Sequence, residues 1–227
     1  KKVLRISTTQ PFTTLNHQTT IMVSEIEQIS QFMEGLMGYD GMGNLIPTGA
    51  EKYEVAEDGM SYTFILRKDA IWTNGEKVTA SDYEFAWKTM AANDTGGFRM
   101  NGAVIKNGAK ILNRELPAST LGVSAIDDVT LLVELEKNYP TFLQMMAGYL
   151  YFPMNKSFYE SVGGEEAYGK SIETIMSNGA FTLTEYKADE KLVFEKSTTY
   201  WDKENVNLEE IEVRVIPNIA TQGTLYD

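Results

Sequence analysis

The sequence predicts an α+β fold built on mixed sheets. Three observations carry that prediction. Several pairs of short β-branched and aromatic runs are joined by turn residues, Glu51–Ala56 with Ser61–Arg67 and Phe181–Tyr186 with Leu192–Lys196 being the clearest. Amphipathic helical segments stand between these pairs rather than alternating with single strands. No regular βαβ repeat, internal repeat or low-complexity tract is present, so a uniform parallel sheet is not expected.

Taken in order, Val3–Ser7 reads as a strand. The Thr-rich stretch Thr8–His17 follows it, kept extended by Pro11 and by β-branched threonines. Ser24–Met37 has Ile26, Ile29, Met33 and Leu36 at helical spacing, with Ser24 as the expected cap and Gly38 as the expected end. Tyr39–Pro47 reads as strand, Gly-rich turn and strand. Glu57-Asp58-Gly59 then turns the chain between Glu51–Ala56 and Ser61–Arg67. Trp72 leads into Asn74-Gly75, which accepts a positive φ. Thr79 and Asp82 have the spacing of a capping box opening the helix Ala80–Met90. Trp72 and Trp87 are expected to pack in the core there.

Ala91–Asn101 is expected to be a loop and Val104–Asn113 a helix. Asp127-Asp128 joins the strands Val123–Ile126 and Thr130–Leu135. Pro140 opens a short helix to Met146, Tyr149–Met154 is extended, and Lys156–Ser161 is a short helix. Leu208–Ile216 is a strand, and Asn218–Asp227 reads as the start of a helix.

Composition narrows function mainly by exclusion. The 227 residues are 43% hydrophobic, enough for a sizeable core. Formal charge is −12 without a basic tract, which argues against nucleic acid as a partner. Cysteine is absent, which removes disulfides, thiolate catalysis and Cys-type zinc sites. No apolar run reaches the roughly 18 residues of a membrane span. Lys1-Lys2-Val3-Leu4 opens without a leader pattern, leaving cytosolic, processed and trimmed forms open.

Few motifs point to catalysis. Gly164–Ser171 fits G-x-x-x-x-G-K-[ST], but the preceding Phe158–Gly163 looks helical and two carboxylates sit inside the loop. A surface loop is the expected reading. His17 is the only histidine and has no Cys or second His to complete a metal set; a loop histidine beside the first strand is expected. Asp40, Asn44 and Glu51 echo a calcium loop only faintly, because Met42 and Leu45 occupy positions that need a ligand and a glycine. Neither a catalytic residue, a metal site nor a cofactor is expected.

An ordered set of fragments gives more. They are Leu4-Arg5-Ile6 with Thr14-Leu15-Asn16; Asp58-Gly59-x-x-Tyr62-x-Phe64-x-Leu66-Arg67; and Trp72-x-Asn74-Gly75-x-x-Val78-Thr79-Ala80-x-Asp82. Leu121-Gly122-Val123-x-Ala125-Ile126-Asp127-Asp128, Asn178-Gly179-Ala180-Phe181, Tyr200-Trp201-Asp202 and Ile211-Glu212-Val213 complete it. Together these resemble the oligopeptide-binding proteins of peptide ABC transporters, the extracytoplasmic solute-binding proteins of family 5.

The resemblance implies a type II periplasmic-binding-protein-like fold of the peptide-binding class. It implies a discontinuous first domain, residues 1–35 with 161–227, and an inserted second domain, residues 36–160. The family continues into a second lobe where this chain ends, so the resemblance covers an N-terminal portion, expected to bind peptide weakly alone. The implied function is capture of oligopeptides for a membrane permease, by a monomer lying outside the membrane. That would be a lipid-anchored surface protein of Gram-positive type, with the anchor upstream of Lys1, or a periplasmic protein. The same fold holding a peptide pheromone, an oligosaccharide or a metal chelate is the alternative, with a P-loop nucleotide enzyme behind it. By position, the implied ligand contacts are Thr9, Gln10, Pro11, Phe12 and Thr13, whose main chain can pair with a peptide, and Phe98 and Arg99.

Overall fold

A computed structural model describes residues 1–224. Two four-stranded sheets and a two-stranded ribbon organise the chain. The first sheet has the order β1-β10-β9-β8, made from β1 (Val3–Thr8), β8 (Phe181–Lys187), β9 (Lys191–Lys196) and β10 (Glu210–Val215). β1 runs parallel to β10, with Val3 opposite Glu210 and Thr8 opposite Val215, whereas β9 pairs antiparallel with both of its neighbours. The second sheet is antiparallel throughout, in the order β4-β5-β7-β6: β4 (Ala50–Val55), β5 (Ser61–Leu66), β6 (Val123–Ala125) and β7 (Thr130–Glu134). β2 (Met37–Tyr39) and β3 (Leu45–Pro47) form the ribbon. The mixed α+β character and each expected hairpin are therefore present.

One helix packs on each sheet. α1 (Val23–Phe32) buries Ile29 and Phe32, and Phe32 stacks on Phe194 of β9 at 6.1 Å between ring centroids. α2 (Ala80–Ala92) lies against β6 and β7, burying Tyr83, Trp87 and Met90. The capping pair forms as its spacing predicts. One carboxylate oxygen of Asp82 accepts from the Thr79 N–H at 2.8 Å and from the Trp72 indole N–H at 3.1 Å. That second bond lets a fully buried indole satisfy its donor while filling the core, as expected of Trp72 and Trp87.

Several local expectations are corrected. α1 ends at Phe32, with Met33 as its C-cap, rather than at Met37, because Glu34 and Gly35 turn away to meet Asn178 and Gly49. Met22, not Ser24, is its N-cap residue. Gly96–Asn101 is a short helix, α3, capped by the Thr95 hydroxyl, where a loop is expected. The segment Val104–Asn113 breaks into a 3₁₀ turn, Gly102–Val104, and α4 (Gly108–Leu112). α5 (Phe142–Met145) and α6 (Lys156–Ser161) stand where short helices are expected, but Tyr149–Tyr151 forms a 3₁₀ turn rather than extended chain. α7 (Ile219–Thr224) begins the terminal helix; the last three residues of the expected Asn218–Asp227 segment lie outside the described residues.

The Gly164–Ser171 segment lacks the strand–loop–helix setting of a phosphate loop. It follows α6, starts with a 3₁₀ turn at Gly164–Glu166, and leads into another at Ile172–Thr174. Its Gly169 has a packing role instead. At φ +81° a Cβ there would stand 2.3 Å from the Asn16 nitrogen, and its carbonyl accepts from the Leu15 N–H at 2.7 Å.

His17 lies in the loop after β1, as expected, but its side chain is turned into the protein. The imidazole is fully buried beside the rings of Phe152 and Tyr168, with neither nitrogen hydrogen-bonded. Burial pushes its pKa down to about 4, against a smaller opposing effect of the Phe152 backbone. Between pH 6.5 and 4 the unfolded chain thus takes up a proton that the folded chain refuses. Stability should fall by about 3 kcal/mol across that window and be independent of this group above it. Urea unfolding at pH 7.5 and pH 4.5, in the protein and in His17→Gln, checks this: the pH-dependent loss should be smaller by that amount in the variant.

Candidate functional site

Between β1 and α1 the chain runs through the residues marked in the sequence to an exposed segment, Ile21–Val23. The stretch is held in place by one buried carboxylate. Glu25, in the first turn of α1, is 1% exposed. Its Oε1 accepts from the Thr13 N–H at 2.6 Å, the Thr13 hydroxyl at 2.7 Å and the Thr14 N–H at 3.0 Å. Its Oε2 accepts from the Thr20 hydroxyl. A buried carboxylate needs such donors, and four of them from one loop fix the loop's shape. The helix N-terminus adds its own favourable field to the negative charge.

Beyond Thr20 the chain emerges. Ile21 and Val23 are 69% exposed and Met22 43%, an apolar triplet facing solvent. Met22 is extended, at φ −84° and ψ 123°. Its N–H is held by the Thr20 hydroxyl at 3.1 Å, and its carbonyl accepts the first N–H groups of α1. Neither the N–H nor the C=O of Ile21 has a partner among the described residues. Ile21 thus leaves one unspent donor and one unspent acceptor on this edge.

α3 borders that edge. A methyl group on Gly96 would stand 3.9 Å from Cγ2 of Ile21. Gly97 is pressed so closely on Leu150 that a Cβ would come within 2.2 Å of it, and the neighbouring Tyr149 hydroxyl donates to the Thr20 carbonyl at 3.4 Å. The edge Thr20–Val23 therefore links the two segments marked in the sequence: Glu25 ties it to Thr13, and Ile21 abuts the start of α3.

The marked residues themselves take different places. Gln10 and Pro11 are exposed and Thr9 is half-buried. Phe12 and Phe98 point inward, with 2% and 1% exposure. The loop's donors are largely committed: Gln10 N–H to the Thr8 hydroxyl, Phe12 N–H to the Ala188 carbonyl and Thr13 N–H to Glu25. Arg99 is exposed and paired with Asp94 at 2.6 Å. The triplet Ile21–Val23 was not singled out from the sequence. Its signal is three consecutive apolar residues just before an amphipathic helix, which also reads as a helix start.

Among the described residues no group of three or more His, Asp or Glu side chains is placed to hold a metal ion. No helix among them is long and apolar enough to cross a membrane.

Comparison with known proteins adds three findings. The profile of the bacterial extracellular solute-binding proteins, family 5 (middle), matches residues 44–225. The dipeptide-binding protein DppE of Bacillus subtilis is 33% identical over 201 residues, spanning 88% of this chain and 36% of that protein. Two solved structures superpose over 100% of the chain. The substrate-binding domain of an oligopeptide ABC transporter from Bacillus anthracis does so with TM-score 0.95 and 37% identity, and peptide-bound OppA of Listeria monocytogenes with TM-score 0.94 and 30% identity. The chain covers 44% and 45% of those two, so it spans less than half the length of these relatives.

Removing the Glu25 carboxylate strands three donors from Thr13 and Thr14 and one from Thr20. Glu25→Ala should cost about 2–4 kcal/mol in chemical denaturation. It should also raise amide exchange selectively at residues 13–22; a uniform increase over the chain would mean that Glu25 does not act on this loop in particular.

Proposed function

The chain belongs to the bacterial extracellular solute-binding proteins of family 5, and on that footing we propose that it is part of the receptor of an ABC importer whose ligands are oligopeptides. The observation that carries this reading is the exposed pair Ile21 and Met22 ahead of α1, Met22 extended and the N–H and C=O of Ile21 unpaired. A peptide laid along it gains main-chain hydrogen bonds as an added strand, which gives affinity without demanding a particular side chain. The peptide seated in the Listeria relative, and the dipeptide named for the Bacillus one, support a peptide as the solute.

In this reading Gln10 and Pro11 flank one end of the ligand and Arg99 the other. Thr9 and Thr13 contribute through loop backbone, and Phe12 and Phe98 support these walls from beneath. Residues 1–35 with 161–227 form the first domain, which matches a first sheet drawn from both parts of the chain, and residues 36–160 form the inserted one. A second lobe closes over the ligand by hinge motion, and the closed monomer delivers it to the permease. The receptor works outside the cytoplasm, as a lipid-anchored surface protein or in the periplasm.

Calorimetric titration of the whole protein with short peptides of varied sequence tests this. Binding should tolerate changes of side chain yet weaken about tenfold when one ligand amide that pairs with Ile21 is N-methylated, the worth of one main-chain hydrogen bond. Absence of heat with every peptide, alongside clear binding of a sugar or metal chelate, would overturn the peptide assignment.

A further inference from the structure

The peptide unit that joins Thr20 to Ile21 is engaged on one side and free on the other. Its N–H belongs to Ile21 and has no partner among the described residues. Its carbonyl belongs to Thr20, a buried residue, and accepts from the Tyr149 hydroxyl at 3.4 Å, its one partner among those residues. Tyr149 stands 129 positions further along the chain.

The 3₁₀ turn that carries this tyrosine, Tyr149–Tyr151, meets a different element with each of its residues. The Tyr151 carbonyl accepts from the Trp87 indole N–H at 3.0 Å, and the two rings meet edge-on with centroids 5.2 Å apart. Trp87 and Tyr151 are both buried, so the turn is seated firmly on α2. Leu150 closes on Gly97 of α3, whose neighbour Gly96 borders Ile21. Tyr149 reaches Thr20. One turn therefore sets two sides of the same edge, the Thr20–Ile21 peptide through Tyr149 and the start of α3 through Leu150.

A peptide unit is planar, so a bond that fixes the direction of its carbonyl also fixes the direction of the N–H opposite. A proton donated to the oxygen also draws electron density toward it and makes the N–H a stronger donor, by about 10–30% of a bond. Burial pushes the Tyr149 phenol above its ordinary pKa, so the hydroxyl keeps the proton that it donates. Phenylalanine would fill the same space and supply neither effect.

We propose that Tyr149 is a positioning residue for ligand binding, whose hydroxyl aims and polarises the Ile21 N–H toward a carbonyl of the bound peptide. This rests on the reading of Ile21 as ligand-facing. It adds that the strength of the Ile21 donor is set from a distant part of the chain.

Amide NMR and calorimetry on the whole protein, with trialanine and tetraalanine as ligands, separate the two. An Ile21 amide that ignores both peptides in the parent protein would remove the ligand-facing reading and the positioning role with it. Where the parent responds, Tyr149→Phe should move the Ile21 amide proton upfield in the free protein and leave the urea midpoint almost unchanged. It should weaken both peptides about three- to fivefold, the worth of one hydrogen bond of ordinary strength. Tyr83→Phe removes a buried hydroxyl that has no hydrogen-bond partner, and should alter neither the Ile21 signal nor the affinity. A responsive Ile21 in the parent, with its signal and the affinity unaltered in Tyr149→Phe, would overturn the positioning role alone. Equal losses in Tyr149→Phe and Tyr83→Phe would trace the effect to loosened packing and overturn it as well.

Discussion

The parallel pairing of β1 with β10 is the constraint on which the remaining structure depends. Residues 3–8 lie beside residues 210–215, so everything between must leave the first sheet and return to it. A parallel pair always requires a crossover, commonly a single helix. Here the crossover contains α1, the ribbon, the entire second sheet and the β8–β9 hairpin. The outgoing and returning strands of chain meet where Asn178 holds the main chain of Glu34, and there the Phe32 carbonyl accepts from the Asn178 and Gly179 N–H groups. This pairing also places the end of β1, and hence the Thr-rich loop, beside the β8–β9 turn that receives the Phe12 N–H.

Glu25 and His17 show how the interior then treats polar groups in that loop. Glu25 has four donors and organises the loop; His17 has none and stays neutral. The consequence for function lies in what remains unpaired. Because the carboxylate commits the donors of Thr13 and Thr14, the loop cannot drift over the neighbouring edge, and Ile21–Val23 is presented with its shape already set. Preorganisation of this kind lowers the ordering cost of binding. Gly97, closed on Leu150, fixes α3 beside the same edge.

How much of this was legible in the sequence depends on the range of the interactions. The hairpins, the Thr79–Asp82 cap and the buried tryptophans follow from neighbours within about ten residues, and the ordered motifs Leu4 to Val213 carried the family. α1 was read too long because its apolar spacing continues through Leu36, whereas its end is set by Asn178, far along the chain. Ala91–Asn101 reads as a loop from its own residues, yet Leu150 packing on Gly97 and the Thr95 cap make a helix at Gly96–Asn101. The burial of His17 and the exposed triplet Ile21–Val23 depend on equally distant partners: His17 is enclosed by Phe152 and Tyr168, and Ile21 borders Gly96. The bonds from Tyr200 and Trp201 to Glu34 likewise join residues that nothing local connects.

The central claim is that the unpaired main chain of Ile21, ahead of α1, receives the ligand. Residue-resolved amide hydrogen exchange of the whole protein, with and without bound peptide, tests it most directly. Strong protection of the Ile21 amide on binding, with β1 and β10 amides unchanged, is the expected result. An Ile21 amide that exchanges equally fast in the free and the saturated protein would contradict the account.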